Sequence, residues 1–303
     1  MSLVNLLLLQ YLIKIMKIVG LVAARNEDRI ITQCLRILSF YTDSIVFLDD
    51  CSEDNTLNLV RDISKECRIE RIISKEKWER NEPHDRNLLL DTGREVGGTH
   101  FVVLDADEVI TSNCLVDNFL KNHILSLQLG DRLYLNWIQL WRSTEQYRID
   151  ESVWSWNYKD FIFCDDRICS YESDFIHTSR TPNNLKGHKY TLEGYEHGVM
   201  HFQCVNWRNF LVKQAWYRCL EKVNYPQKTP DIINASYAID EENLALQACL
   251  KEWFSQYKLF DKILYQISNP WYEKQVVEWF KLLGINYFID LDIWNVDWRI
   301  SNR

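Results

Sequence analysis

Three short apolar runs and one mixed run, each spilling into polar side chains, constrain the first half of this chain more than any other feature. They occupy residues 18–23, 44–48, 69–73 and 101–104. Short apolar runs with polar flanks read as buried strands. Stretches of helical spacing separate them. Residues 29–40 place Ile30, Ile31, Cys34, Leu35 and Leu38 on one face. Leu57, Leu59, Val60 and Ile63 form a second such face, with Asp54 as its candidate N-cap. Residues 85–95 form a third, stopped by Gly97-Gly98. Thr111 or Ser112 is expected to cap a further helix running toward Leu127. Strands alternating with helices predict right-handed crossovers and a parallel sheet. All four strands then end on one edge, where open α/β sheets bind their ligands.

That edge collects Arg25-Asn26-Glu27 after the first strand, Asp49-Asp50 after the second and Asp105-Ala106-Asp107-Glu108 after the fourth. Two aspartates flanking one small residue can present oxygens to a hard divalent cation. Such an ion, held by few protein groups, completes its shell with phosphate oxygens and water. Asp-x-Asp alone also fits a plain acidic turn that favours the next helix N-terminus. Its company after the other strands argues for a ligand site.

Composition narrows the partners. The net charge of −8 excludes a nucleic-acid backbone as partner, which needs a basic face. Nine cysteines show no zinc-like spacing and read as reduced thiols that pack as small hydrophobes. Twelve Trp, fifteen Tyr and thirteen Phe suit both a core and the stacking walls of sugar and base sites. The cytoplasm is the expected compartment. Residues 3–13 are apolar but too short to span a bilayer, which takes about 20 residues. Two interpretations fit residues 1–15: an apolar helix against the domain or a membrane surface, or translated upstream sequence with Met16 as the natural start.

The runs 21–27, 46–56, 85–87 and 103–108, in this order and spacing, resemble a family 2 glycosyltransferase of the GT-A fold. The likeness is good over residues 16–125. It implies a Rossmann-like, mostly parallel sheet flanked by helices, a nucleotide-diphospho-sugar donor (a UDP-sugar foremost), Mn²⁺ or Mg²⁺, a glycan or other hydroxyl acceptor and an inverting reaction. Ala23, Arg25, Asn26 and Glu27 would line the nucleotide, with Asp49 or Asp50 near base and ribose. Arg86 would point toward the diphosphate. Asp105 and Asp107 would hold the metal, with Ala106 between them against the donor. Members commonly have Gly where Cys51 stands, which puts the tightness of that turn in question. A non-catalytic sugar-nucleotide-binding protein is the alternative. A nucleotidyltransferase is the third possibility, disfavoured because residues 23–27 hold no Gly to wrap a triphosphate.

In the second half, residues 134–138 and 161–163 read as strands, with Trp137, Trp141, Trp154 and Trp156 around a presumed acceptor cleft. An inverting transfer needs a carboxylate to take the acceptor proton. Asp160 and Asp174 are the preferred candidates among Asp160, Asp165, Asp166, Glu172, Asp174, Glu193 and Glu196. The segment through His177, His201 and the helix with Lys213 and Tyr217 is similar to the region after the catalytic domain in lipopolysaccharide-core-type members. Thr178 stands where those have Glu. His201 could complete the metal shell, since imidazole ligates Mn²⁺, and Lys213 could meet a phosphate as a point charge. The expected organisation is an extension (1–15), a transferase domain (16–223, divided near 125) and a helical C-terminal region (224–303). That last region carries a helix across 238–264 and another from Pro270 to Gly284, and no chemistry.

Overall fold

The computed structural model describes residues 16–298, apart from 153, 156–157, 173–177, 240, 256 and 258–269. The expected extension 1–15 and the candidate base Asp174 lie outside the described residues, as do Trp156 and His177.

The fold is mixed α/β, a large and mostly parallel sheet flanked by helices. In chain order the strands are β1 (Ile18–Ala24), β2 (Ser44–Asp49), β3 (Ile69–Ser74), β4 (His100–Asp105), β5 (Glu108–Ile110), β6 (Arg132–Gln139), β7 (Gln146–Arg148), β8 (Tyr158–Cys164), β9 (Lys189–Leu192), β10 (Gly198–His201) and β11 (Leu246–Ala248). The large sheet has the order β3-β2-β1-β4-β8-β6-β10-β5, with β9 also on β6. β7 pairs separately with β11.

The four sequence-predicted strands form the parallel block β3-β2-β1-β4. β2 is buried throughout, as expected of a strand covered on both faces. β3 has no fully buried position and closes one edge of the sheet. Helix α1 (Ile31–Tyr41) packs on the sheet, and Gly20 allows it close: a Cβ there would sit 2.6 Å from Leu38. Helix α2 spans Thr56–Asp62. Asp54 accepts from the Thr56 amide (2.9 Å), close to its expected capping role. Helix α3 (Glu82–Glu95) starts a turn earlier than its apolar spacing indicates, because the Asn81 side chain accepts the His84 amide. Gly97, at φ +86°, ends it.

Two expectations need correction. The helix after Thr111 is a 3₁₀ segment, Ser112–Asn118, followed by α4 (Phe119–Ser126). Asp117 and Asn118 both take left-handed φ, which breaks the run. The described part of 238–264 is not helical either: it holds β11 and a short 3₁₀ turn, Lys251–Phe254. Its apolar residues are recruited one at a time. Trp253 packs into the sheet's core beside Tyr147, which overrides the local period.

The remaining helices are α5 (Trp207–Asn224), α6 (Pro230–Ser236) and α7 (Pro270–Leu283), the last followed by Gly284 at φ +82°. They share a separate core, in which Trp216 and Cys219 of α5 meet Val276 and Phe280 of α7 and Ile233 of α6. No described helix is long and apolar enough to cross a membrane. All nine cysteines are free, seven of them buried.

Candidate functional site

Strand register builds the site. β1 lies between β2 and β4, so the chain reverses its direction of travel across the sheet there, and ligands of open α/β sheets bind at such a point. Register pairs Ala23 with Asp105 and Ala24 with Asp49, so the three polar clusters meet on one rim. Farther along, β10 sets His201 beside Gln139 of β6 and Glu108 of β5. A cavity of about 680 Å³ opens over this rim.

Most of the sequence-predicted residues line it: Ala23, Arg25, Glu27, Asp50, Arg86, Asp105, Ala106, Asp107, Asp160, His201 and Lys213. Asn26 and Asp49 do not. Asn26 takes φ +55°, and its Oδ1 accepts the Glu53 and Asp54 amides (2.6 and 3.3 Å), tying the two loops together. Asp49 is buried and accepts the Ser52 amide. Both therefore shape the rim from behind. Cys51 takes φ +59°, so the turn that commonly holds Gly is kept here in a conformation costly for a side chain.

The three carboxylates after β4 have different surroundings. Asp105 is 46% exposed and is gripped from one side by Arg180 Nη2 (2.7 Å) and from the other by Arg86 Nη2 (3.5 Å). Burial would raise its carboxyl pKa, but Arg180 and Arg86 outweigh this and lower it. Asp107 Oδ2 lies 3.4 Å from His201 Nε2. Burial again opposes ionisation, and His201, Lys213 and Arg29 overcome it, holding Asp107 well below the usual carboxylate range. Glu108 points inward and is fully buried. It accepts from the Asp105 amide (2.8 Å), from Trp137 Nε1 (2.7 Å) and from Arg180. It sets the loop's shape.

The donor set fits a hard divalent ion. Asp105 and Asp107 offer oxygens, and His201 Nδ1 lies 2.9 Å from Gln139 Oε1, which leaves Nε2 turned toward Asp107. A hydrogen bond on the far nitrogen is what orients a ligating imidazole.

β8 brings Lys159 and Asp160 to the cavity. Lys159 Nζ sits 3.0 Å from the Trp137 ring centroid; burial and the adjoining Arg180 bring its ammonium down to about 7. Asp160 accepts from the hydroxyls of Ser179 (3.1 Å) and Thr181.

Sequence reasoning missed two features. Arg180 carries no local signal; it acts on Asp105 from 75 positions away. The C-terminal region was expected to carry no chemistry, yet Ser236, Tyr237, Trp271 and Tyr272 line the cavity. Arg25 lies between Trp78 and Trp271, its guanidinium carbon 4.7 and 5.0 Å from the two ring centroids. The aromatic pairs at 216–217 and 271–272 hinted at such a wall.

No family model and no curated protein matches this chain. Among solved structures it is similar to S. aureus TarS 1–349 in complex with UDP, at 15% identity and a TM-score of 0.43, over 91% of this chain and 81% of that one. It is also similar to mannosyltransferase PcManGT from Pyrobaculum calidifontis in complex with GDP-Man and Mn²⁺ (20% identity, TM-score 0.33, 39% and 35% of the two chains). A third is glucosyl-3-phosphoglycerate synthase from Mycobacterium tuberculosis with Mn²⁺, UDP and glucosyl-3-phosphoglycerate (18% identity, TM-score 0.29, 44% and 47%).

Proposed function

We propose that this chain is an inverting, metal-dependent glycosyltransferase of the GT-A type, similar to family 2, that moves a sugar from a nucleotide-diphospho-sugar to a hydroxyl acceptor. One observation carries this conclusion. Asp105, Asp107 and His201 line the same cavity as Arg25, Arg86, Lys213 and Asp160. Acids for a cation, cations for an anion and a separate carboxylate thus face one space large enough for a donor and part of an acceptor.

Asp105, Asp107 and His201 would hold Mn²⁺ or Mg²⁺, which neutralises a diphosphate leaving group. The protein's own groups do the rest. Arg86 offers planar donors and Lys213 a point charge to phosphate oxygens. Asp50, at the end of β2, is placed for polar contact with base or ribose and is itself fixed by Lys75 (2.7 Å). Asp160 takes the acceptor proton as the new bond forms, and the Ser179 and Thr181 hydroxyls orient it. Trp154 supplies a flat face for an acceptor sugar.

The test is a thermal-shift panel of UDP, GDP and the other nucleoside diphosphates with and without Mn²⁺, followed by release of UDP or GDP from the matching sugar nucleotide. A ligand that binds only the folded state raises apparent stability. Stabilisation with slow donor hydrolysis supports transfer. Stabilisation without any turnover points to the binding protein, and no stabilisation by any nucleotide rejects both.

A further inference from the structure

We propose that Tyr272, in the first turn of α7, binds the donor's diphosphate, its hydroxyl donating to a phosphate oxygen next to Lys213. The inference rests on the function proposed above and extends the donor site onto a helix outside the sheet.

Three observations support it. Tyr272 lines the cavity although its helix belongs to the separate helical core. Its ring is held in place, 5.0 Å from Trp216 and 3.7 Å from Trp271 between centroids, and Trp216 Nε1 ties the helix down through Gln275 (2.7 Å). Packing therefore uses the ring. The hydroxyl has no hydrogen-bond partner among the described residues. Beside it stands Lys213, whose Nζ is 6.0 Å from the ring centroid and donates to Gln203 (2.9 Å). Asp107 and Glu27 lie within electrostatic reach of the same two groups. A phenol and an ammonium side by side, one with its O–H proton unassigned, suit an anion with several acceptor oxygens.

Tyr272→Phe in the full chain removes only the hydroxyl. Calorimetric titration with UDP, GDP, uridine, guanosine and inorganic pyrophosphate, all with Mg²⁺, reads the effect. The variant is expected to keep the wild-type melting temperature within a degree or two. It should bind pyrophosphate and the preferred nucleoside diphosphate about tenfold more weakly, the factor a hydrogen bond to a charged group carries. Binding of the bare nucleoside should not change. Diphosphate binding within twofold of wild type overturns the proposal. An equal loss for the nucleoside also overturns it, since packing would then be at fault. Wild-type protein that binds none of these ligands removes the proposed function itself, and this inference with it.

Discussion

Two acidic clusters follow strands of the same sheet, and they behave oppositely. Asp105-Ala106-Asp107 follows β4, and Asp165-Asp166 follows β8, its antiparallel neighbour. By spacing alone, the cluster after β8 is the better metal site: Asp165, Asp166 and Cys169 offer ligand atoms all within 4.8 Å of one another. Yet three of its four carboxylate oxygens are already engaged. Asp165 is fully buried, receives Arg94 through Nη2 and Nε (2.7 and 2.9 Å) and accepts the Arg167 amide (3.1 Å). Asp166 accepts the amides of Ile168 and Cys169 (3.0 and 2.7 Å). The cluster after β4 keeps one carboxylate half-exposed and opens onto a cavity. Closeness of carboxylates therefore says little; their remaining acceptor capacity, and the sheet edge they occupy, decide what they can do.

Asp107→Ala should separate the clusters most sharply. If the cluster after β4 is the metal site, donor hydrolysis with Mn²⁺ falls on the order of a thousandfold, since such ions contribute several kcal/mol to the barrier. The melting temperature should fall modestly, because His201, Lys213 and Arg29 lose the carboxylate they hold ionised. Activity equal to wild type breaks the comparison.

Asp165→Asn should do the reverse. Leaving Arg94 without its buried partner costs about 3 kcal/mol by urea unfolding, while activity per folded molecule persists. Acid titration checks the same bond. Burial pushes the Asp165 pKa up, but Arg94 and Cys169 outweigh it and the net direction is down. The contribution of this carboxylate is therefore present above about pH 4 and is lost as pH falls through the folded-state value. The variant's stability should fall less steeply in that range, and an unchanged slope would place the acid sensitivity elsewhere.

Gln139→Leu probes the support of His201. Apparent Mn²⁺ affinity should drop roughly tenfold, as for other residues that orient a metal ligand. A change in stability with unaltered metal affinity would make Gln139 purely structural. Smallest of all, Asp166→Ala removes the one carboxylate oxygen that accepts two amides at a turn. It should cost about 1 kcal/mol and leave donor hydrolysis intact; lost activity would make the cluster after β8 part of the site.

What could be read from the residues followed chain locality. The parallel block was visible because three of its four strands are continuous apolar runs with their own polar tips. Arg25, Asp105 and Asp107 were found for that reason, His201 and Lys213 through the likeness of their own segment, and all five share one cavity. Asn26 and Asp49 have the same signature but brace the loop after β2 from behind the rim, a difference that depends on where a side chain turns. Arg180 and Tyr272 were out of reach, because their meaning lies in partners brought close only by folding. The stretch 238–264 failed for a related reason: Trp253 answers to the sheet's core, not to its neighbours along the chain.

The grip of Arg180 on Asp105 and Glu108 has a consequence for the metal-free protein. A permanent guanidinium already counterbalances two of the three acids, so the apoprotein carries no unrelieved knot of negative charge. The architecture is thus self-neutralised before any ion arrives, unlike small zinc domains whose folding waits for theirs. A cation bound there as proposed would meet a finished socket and contend with a resident positive charge for one oxygen of Asp105.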